Sequence, residues 1–467
     1  RLQLLTVAVI LLLSLSSHAV SQKNEVTLGI SESGARRITL ALPPFRPGPS
    51  PGMEKASQVI SDTLRDDLAF SGFFNLVNPK YYSYVTGYSE KRVQYKDWLG
   101  IGAESLVLGK VAAEGNKIVV DGRLYDNRQE QLVMGKRFRG DTDMARSIAH
   151  RLGDEIVRQF TGQPGIFHTR IAFVSQVGRG KEIFVMDYDG DRIKKLTGNG
   201  SLNLNPAWSP DGSQIAFLSY RSGRPELVIL SAKGELRRAF PQRGELNLAP
   251  DWSPDGTRIA FAGSRDGNAE IFVLTVSSGA MVRLTSNPAL DTSPSWSPTG
   301  REIAFVSDRS GSPQIYLMDA EGTNVRRLTH EGNWNDLPAW SPRGDKIAYC
   351  SRLQGHFDIF VRDLATQKTT RLTSGAGNNE DPRWSPDGRH LVFSSDRAGN
   401  YDIYEMDLDG GNARRITREE LHAKVKEHEV AEDDARKRED QLEKLTHEYQ
   451  AKIDELVKHK EAEVMAL

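Results

Sequence analysis

The chain has 467 residues, in which 61 Lys and Arg nearly balance 62 Asp and Glu, giving a formal net charge of −1. This length exceeds what one hydrophobic core supports, so we expect two or three domains. A net charge near zero gives no global field that attracts nucleic acid or an anionic membrane surface, and we expect no nucleic acid among the binding partners.

The first residues have the pattern of a secretory signal. A basic first residue and an apolar run over residues 4–13 precede Ser17 and Ala19, small residues that suit a signal peptidase. A membrane anchor, which is the alternative, needs about 20 apolar residues, and the serines after this run end it early. We expect residues 1–19 to be a signal peptide that is cleaved after Ala19.

Residues 20–35 come next and are polar, with only scattered apolar side chains. We expect them to form a mobile N-terminal arm. An edge strand on the sheet of the following domain is the alternative.

Residues 36–162 have the pattern of a small α/β domain, with alternating apolar positions in some segments and helical spacing in others. The expected elements are a strand at 38–42, a helix ending near Ser71, strands at 106–112, 117–125 and 131–139, and a helix with Met144, Ile148, Leu152, Ile156 and Phe160 on one face.

A repeat with a period of 44 residues follows and predicts the fold of residues 163–417. A triplet of the Ile-Ala-Phe type begins at residues 171, 215, 259, 303, 347 and 391, and Trp-Ser-Pro begins at Trp208, Trp252, Trp296, Trp340 and Trp384. Each copy holds turn residues between short apolar segments, which predicts four strands per repeat. Six such copies predict an all-β propeller of six blades.

The composition changes after Thr417. Residues 418–467 contain neither Gly nor Pro, and apolar side chains recur at helical spacing among many charges. This predicts a charged amphipathic α-helical tail. A segment of this kind does not supply a strand with alternating apolar residues, so we expect the first blade to have three strands and an exposed inner edge.

The repeat resembles that of the TolB family of propellers, and the unit from Trp384 to Thr417 shows nearly all of its motif. The junction from Thr161 to Ser175 and the segment from Gly102 to Gly109 are also similar to that family, so the resemblance covers residues 1–417. The tail, by contrast, resembles fragments of ribosome recycling factor. Either two sequences have been joined or misassembled here, or the propeller has acquired a coiled-coil extension.

The resemblance to the TolB family implies a monomeric periplasmic scaffold of the Tol–Pal system that supports outer-membrane integrity and cell division, peripheral to the membranes. It implies binding of a Pal-like lipoprotein at one mouth of the propeller and of TolA through the N-terminal arm, with other outer-membrane proteins as further partners. By position, Asn247, Ala249, Asp291 and Thr292 match the family's Pal site.

One polar position recurs five residues before each tryptophan of the repeat. Blade symmetry places these residues in a ring at one end of the central channel. A role in partner recognition and a role in local turn chemistry are both open for them. The ring consists of Asn203, Asn247, Asp291, Asn335 and Asn379.

The sequence holds no Gly-x-Ser-x-Gly elbow, no Gly-rich phosphate loop, no His-Glu-x-x-His and no paired-cysteine metal motif. We therefore expect no enzyme activity, no cofactor and no metal. The alternative is a propeller hydrolase or lactonase with a metal in the channel. The run Asp187–Asp191 falls where a blade needs a hairpin and departs from the calcium-loop order, so we interpret it as a turn.

Overall fold

The computed structural model describes residues 36–416, apart from residues 86–88, 90–91, 242–246, 265–266 and 376. The expected signal peptide, N-terminal arm and C-terminal tail lie outside these described residues. The chain divides into two compact units between Gly165 and Ile166. Among the described helices, none combines the length and apolar character that crossing a membrane requires.

The first unit is an α/β domain built on one mixed sheet with the strand order β3-β1-β4-β5-β6, and β2 pairs with β4. Strand β1 runs parallel to β3 and β4, whereas β4, β5 and β6 form an antiparallel meander. The strands are β1 (Ile38–Ala41), β2 (Arg46–Pro47), β3 (Phe74–Leu76), β4 (Ser105–Glu114), β5 (Lys117–Asp126) and β6 (Gln131–Gly140).

Two long helices of this unit, α1 (Met53–Phe70) and α3 (Ala145–Thr161), pack against each other and against the sheet, and a short α2 (Tyr95–Gly100) lies between them in the chain. Gly122 of β5 lets α3 approach closely, since a Cβ there would lie 2.6 Å from the side chain of Leu152. An apolar cluster of this unit surrounds Trp98.

The second unit contains six antiparallel sheets that follow one another along the chain. Their strands are β7 (Arg170–Val177), β8 (Gly180–Asp187) and β9 (Lys194–Lys195) in the first sheet; β10 (Asn203–Trp208), β11 (Gln214–Ser219), β12 (Glu226–Ser231) and β13 (Leu236–Pro241) in the second; β14 (Asn247–Trp252), β15 (Arg258–Gly263), β16 (Glu270–Thr275) and β17 (Met281–Arg283) in the third; β18 (Asp291–Trp296), β19 (Glu302–Ser307), β20 (Gln314–Asp319) and β21 (Arg326–Arg327) in the fourth; β22 (Asn335–Trp340), β23 (Lys346–Leu353), β24 (His356–Asp363) and β25 (Thr369–Arg371) in the fifth; and β26 (Asn379–Trp384), β27 (His390–Ser395), β28 (Asp402–Asp407) and β29 (Arg414–Arg415) in the sixth.

These sheets are the blades of a six-bladed propeller. Successive blades share apolar clusters, and the ring closes where Ile416 of the sixth blade packs on Phe173 and Met186 of the first. The first strands of consecutive four-stranded blades contact one another, which places them around the central channel. We call them the inner strands. The predicted combination of an α/β domain and a six-bladed propeller is confirmed.

The first blade has three strands among the described residues, and its inner strand is the missing one. Strand β7 is consequently more exposed than its equivalents. Ile171 and Ala172 are half-buried, whereas Ile303 and Ala304 at the same positions of the fourth blade are fully buried. The expected three-stranded first blade is therefore found in the described part of the chain.

Candidate functional site

The inner strands begin at the polar ring that the sequence singled out, and the structure places this ring below the surface. The side chains of Asn203, Asp291, Asn335 and Asn379 are 0 % exposed. Asn247 begins β14 in the same way, although its side chain is outside the described part of the structure.

Hydrogen bonds between blades explain why these polar side chains are buried. The Nδ2 of Asn203 donates to Glu182 of the preceding blade at 3.0 Å, and its Oδ1 accepts from Ser219 at 2.7 Å. Asn335 donates to Gln314 of its preceding blade in the same way, at 2.9 Å. A buried amide needs such partners, and these bonds join neighbouring blades.

Asp291 is the exception in this ring. Its carboxylate accepts from Arg309 Nη2 at 2.9 Å and from Asn287 Nδ2 at 2.8 Å. All four side chains are buried, and their part in binding a partner remains a prediction. The hydrogen bonds of Asn203, Asn335 and Asn379 join neighbouring blades, whereas Asp291 bonds to Arg309 of its own blade and to Asn287 of the preceding loop. Asn335 Oδ1 has no partner among the described residues.

Ala249 and Thr292, which the family resemblance also assigned to the site, lie one or two residues further along the inner strands. Ala249 is buried, and Thr292 is half-buried. Each described inner strand has a β-bulge at this level, where its register against the next strand shifts by one residue.

The bulge forces a left-handed backbone at the third residue of every inner strand. The φ angles are +51° at Asn205, +47° at Ala249, +49° at Ser293, +51° at Leu337 and +53° at Asp381. Such conformations are unfavourable for residues other than glycine, at a cost of about 1–3 kcal/mol each. Five copies of one strained geometry around the channel indicate a rigid, preorganised mouth.

Carboxylates give this mouth a negative local charge. Asp336 accepts from Ser293 Oγ of the neighbouring blade at 3.2 Å, and Glu380 accepts from Tyr401 Oη at 3.0 Å. Burial raises the pKa of both carboxyl groups above the usual range, although these hydrogen bonds oppose the shift.

Exposed apolar side chains surround the same mouth. Three of them occupy the position directly before a ring residue, and Tyr401 lies beside Glu380. The exposed fractions are 42 % for Leu202, 47 % for Leu290, 39 % for Trp334 and 56 % for Tyr401. We call this end of the channel, with these four residues and Thr292, Asp336 and Glu380, the strand-start mouth.

The apolar members of this mouth were not among the site residues predicted from the sequence. For Leu202, Leu290 and Trp334, the signal was the recurrence of a large apolar residue directly before the buried Asn or Asp, and this signal does not extend to Tyr401. Apolar surface around a preorganised backbone, with hydrogen-bond acceptors at its centre, suits the docking of another protein.

Comparison with known proteins identifies the family. The family model described as "TolB beta propeller domain" matches residues 157–367 and 335–435, which together span more than half of the chain. The chain belongs to the TolB family. The model of the "TolB amino-terminal domain" matches residues 26–133, and the model of "Ribosome recycling factor" matches residues 410–465. Both resemblances predicted from the sequence are thereby confirmed.

Two curated relatives are each named "Tol-Pal system protein TolB". The one from Desulfosudis oleivorans is 39 % identical over 191 residues, which are 40 % of this chain and 43 % of the relative. The one from Geobacter metallireducens is 40 % identical over 216 residues, which are 46 % of this chain and 49 % of the relative. The chain thus spans about half the length of the curated relatives it matches.

The crystal structure of TolB from Acinetobacter baumannii is similar over both units. It superposes with a TM-score of 0.70 at 28 % identity, and the match covers 80 % of this chain and 92 % of that one. This agreement in fold extends the family assignment beyond the segments that align in sequence.

Proposed function

We propose that this chain is a periplasmic scaffold of the Tol–Pal system that binds a Pal-like lipoprotein at the strand-start mouth. The observation that carries the proposal is the exposed apolar group formed by Leu202, Leu290, Trp334 and Tyr401 around a strained, preorganised ring of backbone. Rigid sites with aromatic and aliphatic anchors bind proteins well, because little conformational entropy is lost on binding. The relatives' names place those proteins in the Tol–Pal system.

The proposed contact residues differ in part from the ring that the sequence suggested. Thr292 stays a proposed contact residue, and Trp334 and Tyr401 join it. Ala249 shapes the bulge, whereas Asp291, Asn203, Asn335 and Asn379 support the mouth from beneath. By the same family argument, the N-terminal arm at residues 20–35 binds TolA.

The test is calorimetry with a purified Pal homologue and the Thr292→Arg variant. We expect Thr292→Arg to weaken binding by about 2–5 kcal/mol, because it forces a long charged side chain into the centre of the interface. The matched control is Val282→Arg, since Val282 is an exposed apolar residue of β17 in the third blade, away from the inner strands. If the Thr292→Arg variant binds the Pal homologue with the same affinity as the Val282→Arg variant, the strand-start mouth is not the Pal site.

Binding without turnover is part of the proposal. A propeller hydrolase or lactonase with a channel metal makes the opposite prediction, namely catalytic activity that a chelator abolishes. The scaffold hypothesis is wrong if the purified protein hydrolyses esters or lactones and if this activity is lost on chelation and restored by added metal.

Export through residues 1–19 is also proposed. We expect the mature protein to begin at Val20, because Ser17 and Ala19 occupy the small-residue positions before the cleavage site. N-terminal sequencing of the protein from the periplasmic fraction measures this directly. An uncleaved segment that holds the protein in the inner membrane would support the anchor instead.

A further inference from the structure

The channel has a second polar site at its opposite end, where the Trp-Ser-Pro turns lie. A cavity of about 290 Å³ opens there between the third, fourth, fifth and sixth blades. Its walls include the tryptophans of all four turns, and Asp251 and Arg383 are its two charged residues. This volume is at the lower end for ligand pockets, so it suits a small molecule.

The internal repeat shows which residue types the fold accepts at the positions of Asp251 and Arg383. The residue directly before the tryptophan is alanine at 207 and 339, serine at 295, aspartate at 251 and arginine at 383. The backbone geometry is the same in all five strands, so the fold accepts a small neutral residue there. The fold therefore does not require a charge at either position.

These charges do not neutralise each other directly. Blades three and six lie opposite each other in a ring of six, and Asp251 and Arg383 form no ion pair among the described residues. Arg383 Nη2 lies 2.8 Å from Asp381 Oδ1, and Asp251 Oδ2 accepts from the backbone N–H of Trp296 at 2.6 Å. Desolvation raises the pKa of Asp251, and the charge of Arg383 acts to lower it. The cavity thus has Asp251 on one wall and the Arg383–Asp381 ion pair on the opposite wall.

The indole groups of the cavity wall differ in their hydrogen bonds. Within the described residues, the buried indole Nε1 atoms of Trp296 and Trp340 have no acceptor, whereas those of Trp252 and Trp384 donate to backbone carbonyls of the preceding blade. Ser295 accepts from the backbone N–H of Trp340 at 3.1 Å. These Nε1 atoms are enclosed by the protein, so the charged groups that the cavity offers a ligand are the side chains of Asp251 and Arg383.

We propose that this cavity binds a small zwitterion, with the ligand's ammonium group directed to Asp251 and its carboxylate to Arg383. Free amino acids and short peptides with free ends are the chemical class that fits. This site is separate from the strand-start mouth and does not depend on the function proposed for it.

The experiment titrates glycine, diglycine and triglycine into the full chain, as a series with increasing separation between the two charges. Calorimetry measures affinity, and the indole N–H signals of Trp296 and Trp340 report the place of binding, with Trp98 of the first unit as an internal reference. We expect at least one of the three to bind with a dissociation constant of about 1 mM or tighter.

Matched variants test whether both charges are used. We expect Asp251→Asn and Arg383→Gln each to weaken binding about tenfold or more. The controls Glu321→Gln and Lys368→Gln, which change exposed charges in the loops between the third and fourth strands of the fourth and fifth blades, should bind as the parent protein does. A Pal homologue should bind all four variants equally. A cavity that binds no zwitterion would therefore be distinguishable from a strand-start mouth that binds no Pal.

Diglycine capped by N-acetylation and C-amidation provides a test that needs no variant. We expect the capped peptide not to bind, because it has lost both charges. The proposal is overturned if none of the three uncapped ligands binds at about 10 mM, if the capped and free peptides bind alike, or if Asp251→Asn and Arg383→Gln leave the affinity unchanged.

Discussion

At the residue scale, the repeat separates side chains that the fold requires from those that it merely tolerates. The buried Asn residues belong to the first group, because each carries hydrogen bonds between blades. Asp251 belongs to the second group. Desolvation raises the pKa of this carboxyl group to about 6, and the bond from Trp296 N–H only partly opposes the shift.

Asp251 therefore makes stability depend on pH with a definite sign. Its folded pKa lies above its value in the unfolded chain, so its favourable contribution is present below about pH 4 and is lost as the pH rises through 6. As the pH rises from 4 to 7.5, we expect the free energy of unfolding of Asp251→Asn to increase by about 2 kcal/mol relative to that of the parent protein. Urea unfolding of both proteins at the two pH values measures this, and a constant difference between them would contradict the raised pKa.

At the element scale, strand bounds were the most predictable feature of the chain. The period of 44 residues fixed equivalent positions, and the Ile-Ala-Phe triplets that begin at residues 215, 259, 303, 347 and 391 lie in the second strands β11, β15, β19, β23 and β27. The last helix of the α/β domain was predicted from Met144, but a 3-10 turn over Thr142–Met144 precedes α3 and leaves Met144 36 % exposed. Helical spacing does not distinguish a 3-10 turn at the start of a helix from its first α-helical residues.

The candidate site was less predictable than these elements. Blade symmetry predicted a ring of equivalent residues at one end of the channel, and the structure has each of them at the start of an inner strand. A repeat shows which residues are equivalent, but it does not show how deep each one lies. The β-bulge changes that depth by shifting the register within each inner strand. The bulge could not be predicted, because nothing in the local sequence around Ala249 or Leu337 favours a left-handed backbone.

The inner edge of β7 gives a prediction at this scale. Amide groups that point away from β8 lack a strand partner among the described residues, so they should exchange their hydrogens faster than equivalent amides. We expect faster exchange in residues 171–175 than in residues 303–307 of the fourth blade. A Pro-Ala-Trp-Ser-Pro strand appended after Thr417 in place of the tail should slow that exchange and raise the melting temperature.

The outcome depends on what completes the first blade. Equal exchange rates in residues 171–175 and 303–307 of the parent protein would mean that another part of the chain already covers β7. The prediction of an exposed edge would then be wrong. A melting temperature that the added strand leaves unchanged would lead to the same conclusion.

At the scale of the whole molecule, the two ends of one channel have different chemistry. The strand-start mouth presents exposed apolar side chains over a rigid ring, which suits a protein partner, whereas the opposite end has a small open cavity lined by Asp251 and Arg383. Propellers separate functions in this way because the blades are rigid and the turns at either end vary independently. A partner at one mouth and a small ligand at the other are thus compatible.

Hydrogen exchange of the propeller with and without a bound Pal homologue tests the central claim most directly. The account predicts slower exchange in the complex at residues 290–293 and 334–337 of the strand-start mouth, with no change at residues 281–283 of the outer strand β17. Protection confined to the outer strands or to the Trp-Ser-Pro turns, with the mouth unchanged, would contradict it.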